Sequence, residues 1–547
     1  METREVSSSL PAPPESPKSF HSAKTISSSP TRPNTSTPEL VYRQVKKLPY
    51  ELQEVCRIYF EEGLYSQALT LLTSLLTSGT TSSAQLPAIL PPPQYIALIA
   101  TLAVHPTLTT RAKTLDRIQA ANLAIEYLRL VLYHVGPLQG SLKHAFEFTC
   151  QGASCRRGEG KKKKRTTGEN QSPTETYFEG IESELANTGS LWAQAENFWQ
   201  VVGWSSNCSV LHKRRWEKWS AWLTYMVDVL EADWEIRERM TEDEAKEKSL
   251  IVRFIDSGRA IAGRERKIVR AVFADGRMKS VVEFGEIWKN ETKELKKDGD
   301  VKKADKKIDI EADSYGDYME DENEADMEDS ASEASTPPSD VGNHQTDSIP
   351  NVADSLGGMD SIKLRVRLLS LLSKVSAFVP EAFTSLNTLY DIYLEHIRSL
   401  PMPAFFLIIS PPILSHFAPA AAHTLTQYIL RSIIAASAPS PPNDDLSQDV
   451  LEASYLPFAA NTSSVVDNTK VSLCVETLLR LLDKHPDVGL VWTPELHEAA
   501  EAGIKARFTK AKTKQSKRST NGDGGCDGMW LEASAERIRV LIAMARL

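Results

Sequence analysis

The sequence predicts a mostly α-helical protein, built from irregular helical-repeat-like units and separated by long disordered segments. Three observations predict it. Apolar residues recur at helical spacing in one stretch after another. No run alternates apolar and polar residues as a half-buried strand would, and no β-α alternation is visible. Between the periodic stretches lie Ser/Thr/Pro-rich, Lys-rich and acidic tracts that cannot bury enough apolar surface to offset the entropy of ordering.

At 547 residues the chain is too long for one ordinary core. The reading divides it into a Ser/Thr/Pro-rich tail (1–40), an N-terminal helical domain (41–290) with a basic loop at 151–175, a charged linker (291–358), and a C-terminal helical domain (359–547) with a basic loop at 505–528. Within the linker, ten carboxylates fall between Glu311 and Asp329 with no basic residue among them. The six cysteines form no dense framework, which suits free thiols in a reducing compartment. The N-terminus lacks an apolar signal core, and the most apolar stretch, Met402 to Ile434, is broken by Pro403, Pro411, Pro412 and Pro419. A soluble, intracellular protein with no membrane segment is expected.

The first periodic stretch, "YELQEVCRIYFEEGLYSQALTLLTSLLTSG", is interrupted at Gly63 and closed by Gly79. Leu52, Val55, Cys56 and Tyr59 supply the apolar and small positions of one helix; Gly63, Tyr65 and Ala68 supply a turn and a close-packing second helix. This pattern resembles a tetratricopeptide helical hairpin over residues 49–79. The closing proline of that family is Thr80 here, and no second copy follows at the family's spacing. The resemblance therefore implies helix-pair packing and not a regular array.

Further helices are expected at "PPQYIALIATLAVHP" and through 110–135, where Leu115, Ile118, Ala121 or Asn122, Ile125, Leu128 and Leu132 draw a stripe. After the linker, Leu364, Leu368, Leu371 and Val375 share a helix face, and 469–484 and 531–547 read as amphipathic helices.

Seven of the ten tryptophans lie between Trp192 and Trp234. Two helices joined by a turn at "GWSSNCS" fit this stretch, the second carrying Trp216, Trp219, Leu223, Met226 and Leu230 on one stripe. Indoles packed in this way lock helix crossings. Trp222 falls off the stripe, and Lys213, Arg214 and Arg215 stand beside Trp216. From Ser249 to Val281, eight basic residues face three acids. Trp222 with Lys213, Arg214, Arg215, Arg264, Arg266, Lys267 and Arg270 is therefore the candidate partner or nucleic-acid surface.

Enzyme motifs do not emerge. "GASCRRGEGKK" lacks the spacing of a phosphate-cradling loop, and "HEAAE" at 497–501 ends in Glu501 where a zinc-protease helix needs histidine. His144, Cys150, Cys155, Cys208 and His212 lack the paired spacing of a zinc site. No catalytic residue, cofactor or metal is assigned. Lys161, Lys162, Lys163, Lys164 and Arg165 form a candidate nuclear-import signal, with 510–518 as a looser second. Ser29 and Thr336 precede prolines and are candidate phosphorylation sites. The expected function is a non-catalytic nuclear scaffold or adaptor in a chromatin-associated, multi-subunit complex. The alternatives are direct nucleic-acid binding through 192–281 and a cytoplasmic helical-repeat adaptor.

Overall fold

Two parallel strands need a crossover between them, and the first two helices provide it. The computed structural model describes residues 42–80, 86–149, 180–240, 245–257, 263–293, 356–441, 446–484, 489–515 and 525–546. β1 (Val45–Lys47) is followed by α1 (Tyr50–Glu61), α2 (Tyr65–Thr77) and β2 (Ala88–Leu90), with Val45 opposite Ala88 and Lys47 opposite Leu90. This short pair was not anticipated, because three residues carry no readable alternation. Arg43 fixes it by donating to the Leu76, Ser78 and Leu86 carbonyls, which closes the end of α2.

α1 and α2 form the expected pair around the turn at Gly63, whose φ of +74° suits glycine. Cys56, Phe60, Ala68, Leu69 and Leu72 are buried between them and α4. α3 (Pro93–Leu102) and α4 (Leu115–His134) pack next. The buried face of α4 is Ala120, Ala121, Ala124, Tyr127, Leu128 and Val131, which keeps Ala121 and Leu128 of the expected stripe and turns away from the rest; Leu115 is 79% exposed. Alanines on that face let α2 and α3 approach closely.

Three single turns follow, α5 (Gly136–Gln139), α6 (Leu142–Ala145) and α7 (Leu191–Gln194). α8 (Phe198–Leu211) then runs straight through the stretch expected to turn, and the break comes at His212. Gly203 sits inside α8 because the Phe284 ring packs against it: a Cβ there would lie 2.3 Å from Phe284 Cγ. α9 (Lys213–Glu238), α10 (Leu250–Asp256), α11 (Arg264–Val272) and α12 (Met278–Glu283) complete this part of the chain.

After the linker come α13 (Met359–Phe378), α14 (Leu386–Ile397), α15 (Met402–Ile409), α16 (Pro411–Leu414), α17 (Pro419–Ile433), α18 (Gln448–Val450), α19 (Val465–Asp483), α20 (Pro494–Gln515) and α21 (Gly525–Met544). α18 continues into a π-helical turn, Leu451–Tyr455. The expected basic loop at 505–528 is corrected at both ends, and its last residues, 525–528, open α21. Residues 505–515 continue α20, and Arg507 is wholly buried, donating to the Leu456 and Phe458 carbonyls beyond the π turn.

α19 is enclosed on all sides by α15, α17, α20 and α21, so even its polar residues are inside. Each buried polar group then needs a partner. Lys470 donates to the Arg398 and Leu400 carbonyls past the end of α14, Thr477 to Ile409, and Glu476 receives Arg480, Arg537 and Ser534.

α13 ties the two sides of the linker together. Buried Arg365 donates to the Val272 carbonyl, to the Ser206 carbonyl and to the Ser209 and Ser361 hydroxyls. Arg367 pairs with Asp228 and Glu231 of α9 at 2.6 Å each. Nearly all of the buried apolar residues from Leu48 to Ile542 belong to one cluster.

Candidate partner-binding surface

Of the seven tryptophans between Trp192 and Trp234 all but Trp216 are buried in the core, with Trp288; Trp216 is half-buried against it. Trp192, Trp199 and Trp288 donate to the carbonyls of Ala97, Phe254 and Gly189 at 2.9–3.0 Å, which satisfies each indole inside the protein. Trp219 and Trp288 stack with centroids 5.9 Å apart, and Trp222 meets Trp219 edge-on at 5.8 Å. Trp222 is fully buried, so it contributes no surface; the stripe that excluded it is too narrow, since α9 is covered over most of its circumference.

Arg215 is likewise removed from the candidate surface. It is buried against Glu291, donates to Thr109 Oγ1 at 2.9 Å, and lies over the Trp219 ring at 5.0 Å. The Trp219 indole donates to the same Glu291 carboxylate at 2.8 Å. His105 packs edge-on against Trp288 at 4.9 Å; burial, reinforced by nearby Arg215, pushes its imidazole down to about 4. Glu291, which holds this network together, had been assigned to the linker, because nothing local distinguishes it from the acids that follow.

The rest of the basic run is spent largely on internal partners. Arg264 donates to the carbonyls of Ala382 and Phe383 at 3.1 and 3.4 Å. Arg270 clamps Glu283, with its shortest contact at 2.7 Å, and Lys267 lies 3.6 Å from Glu196. Arg266, on the exposed side, pairs with Glu395 at 2.8 Å. Lys213 and Arg214 are exposed at the start of α9. Lys161–Arg165, Ser29 and Thr336 lie outside the described residues.

Lys213 and Arg214 belong to a corner where α8 ends and α9 begins. A cavity of about 410 Å³ opens there, lined by Leu211, His212, Lys213, Arg214, Arg215 and Lys293 together with Thr110, Val210, Glu291 and Thr292. α9 starts without a side-chain cap or an acidic residue in its first turn, so the positive end of its backbone dipole adds to these cations. Burial lowers the His212 imidazole, against the pull of Glu286 and Glu291.

The corner is also apolar. Leu211 is 47% exposed and backs onto Gly276, after which Arg277, Met278 and Lys279 are all exposed. Met278 and Val282, one helical turn apart on α12, are 78% and 77% exposed. The chain leaves the described residues at Lys293 on this corner and returns at Leu356, whose carbonyl lies 3.4 Å from Ser209 Oγ on α8. Leu211 and Lys293, which line the cavity with Lys213 and Arg214, carry no local signal in the sequence that sets them apart.

Among the described residues no group of three His, Cys, Asp or Glu side chains could hold a metal ion, and no helix is long and apolar enough to cross a membrane. Neither a protein family nor a curated protein is found that matches the chain.

Proposed function

We propose that the protein is a non-catalytic nuclear scaffold or adaptor, a subunit of a chromatin-associated complex serving transcription, DNA repair or chromosome maintenance. The observation that carries this reading is the corner at the head of α9, where the exposed Leu211 lines one cavity with Lys213, Arg214 and Lys293. Such a mixed surface is the kind that holds another protein. Irregular helical-repeat-like packing, including the tetratricopeptide-like pair α1–α2, is the framework that presents it. Nuclear residence is supported by the basic clusters at 161–165 and 510–518.

Direct nucleic-acid binding would draw on Arg264, Lys267 and Arg270 acting on one exposed face with Lys213 and Arg214. These three are engaged with Phe383, Glu196 and Glu283, and the indoles of the Trp-rich stretch are in the core apart from the half-buried Trp216. The deciding experiment is affinity purification of the tagged protein from its own cells, with and without nuclease. A stoichiometric set of nuclear proteins that survives nuclease supports the adaptor reading. Loss of all partners on nuclease treatment reverses it in favour of nucleic acid. A reporter fused to residues 151–175 tests import, and a cytoplasmic reporter would move the adaptor to that compartment.

A further inference from the structure

Among the described residues the last helix keeps one uncovered face. α21 packs on α19 and α20, while its opposite side carries Met529, Ala533, Glu536, Val540, Ala543 and Met544, all exposed. At about 100° per residue these six fall within an arc of about 100°, so they form one stripe along the helix. Their alternating spacing of four and three residues is the one that lets two helices pack side by side. Beside the stripe, Arg539, Ala543 and Arg546 line a cavity of about 230 Å³ with Trp492, His497 and Glu501. Ala543 belongs to both, so the cavity opens onto the stripe.

Charge is divided along the same helix. Glu532 and Glu536 come first, and Arg539 and Arg546 follow; Arg537, on the inner side, is spent on Glu476. Arg539 meets Glu501 and Glu536. Glu532 has no partner among the described residues, and the Arg546 guanidinium lies over the Trp492 ring at 5.0 Å with no carboxylate paired to it there. Such a helix is complementary to its own reversed copy. Two copies laid antiparallel set acids against bases, and a closed two-fold dimer imposes that arrangement. The acidic segment 311–329 of the same chain would instead bring carboxylates against Glu532 and Glu536.

We infer that the exposed face of α21 docks the same face of a second copy of this chain, antiparallel, about a two-fold axis near Arg537 and Ile538. Val540 of one copy then packs on Ala533 of the other, and Met529 reaches Ala543 and the cavity beside it. Glu536 meets Arg539 across the axis, and Glu532 comes between Arg539 and Arg546. This pairing stands apart from the adaptor reading and does not rest on it.

The test is sedimentation equilibrium on the purified full-length chain over a wide range of concentration. The mass should pass from one chain to two as concentration rises, with an affinity that falls as salt rises. Val540→Ser with Met544→Ser removes the larger apolar side chains from one end of the stripe and should weaken the dimer about tenfold. Glu532→Arg and Arg546→Glu, each alone, should weaken it several-fold. Combined in one chain, these two changes should restore it toward the parent value. Positions 532 and 546 lie about 20 Å apart along the chain's own helix, so they cannot pair within it, and recovery reports contact between copies. All four side chains are exposed, and an unchanged circular-dichroism melt checks that the variants fold.

A chain that stays monomeric at every concentration overturns the assignment, whether the stripe is then found beneath another segment of the chain or beneath a different protein. A dimer indifferent to the serine variant overturns it too, as do charge variants that the combination fails to rescue. Recovery of the dimer in the combined variant supports the antiparallel pairing.

Discussion

The Trp-rich helices before residue 293 and the helices after residue 356 both bury positive charge, but they satisfy it differently. In the first region Arg215 meets a carboxylate, Glu291, between two indoles. In the second, Arg365, Lys470 and Arg507 are met chiefly by backbone carbonyls near the ends of helices. The last carbonyls of a helix lack intrahelical donors and carry its negative dipole end, so a cation there answers two needs at once. A carboxylate partner, by contrast, is itself a charge that becomes a liability when its cation is lost. The difference teaches that the same residue type can be a core ion pair in one region and a helix stopper in another.

The largest effect should come from the ion pair. Glu291→Ala leaves Arg215 buried without its counter-charge and removes the acceptor of Trp219, for a loss of about 4 kcal/mol in a denaturant titration. A loss under about 1 kcal/mol would erase the distinction between the regions.

The next effect is a dependence on acid. His105 has its pKa lowered from 6.5 to about 4, so between those values the unfolded chain binds a proton that the folded imidazole refuses. Its contribution is constant above pH 6.5 and is lost as pH falls toward 4, reaching about 3 kcal/mol. His396, His134, His212 and His416 are lowered as well, so the quantity to measure is the difference between His105→Gln and the parent chain across that window. Parallel stability curves for the two would show that His105 adds no acid sensitivity.

Arg365→Met should cost less than the loss of Glu291, about 2 kcal/mol by chemical unfolding. It strands the carbonyl of Val272, while that of Ser206 keeps the Ser209 hydroxyl, and it also withdraws a buried charge. A cost equal to that of Glu291→Ala would mean that carbonyls hold a cation as firmly as a carboxylate does.

Smallest is Arg266→Ala. Its pair with Glu395 is half exposed on both sides, and the change in thermal midpoint should correspond to about 0.5 kcal/mol or less.

Much of this architecture was legible because helical periodicity survives in single stretches. Leu364, Leu368, Leu371 and Val375 face the core as their spacing implies, as do Trp219, Leu223, Met226 and Leu230. What was not legible depends on neighbours far along the chain. "GWSSNCS" has the composition of a turn, yet it is helical because Phe284 fills the space over Gly203. "KARF" looks like the start of a basic loop, yet Arg507 is wholly buried against carbonyls beyond the π turn. The basic run from Ser249 suggested a face for polyanions because sequence shows a cation's charge and not its acceptor. Lys213 and Arg214 stand out in the sequence by their cluster and are exposed, whereas nothing local marks Leu211 beside them as exposed.

The Arg365 clamp has a consequence for the order in which the protein is made. Synthesis starts at the N-terminus, so α11 leaves the ribosome with the carbonyl of Val272 still waiting for its donor. That donor is encoded 93 residues after Val272. Until it emerges, the face of α8 and α11 that α13 will cover stays bare, and a chain stalled within that interval presents to the chaperones a seam that the finished molecule never shows.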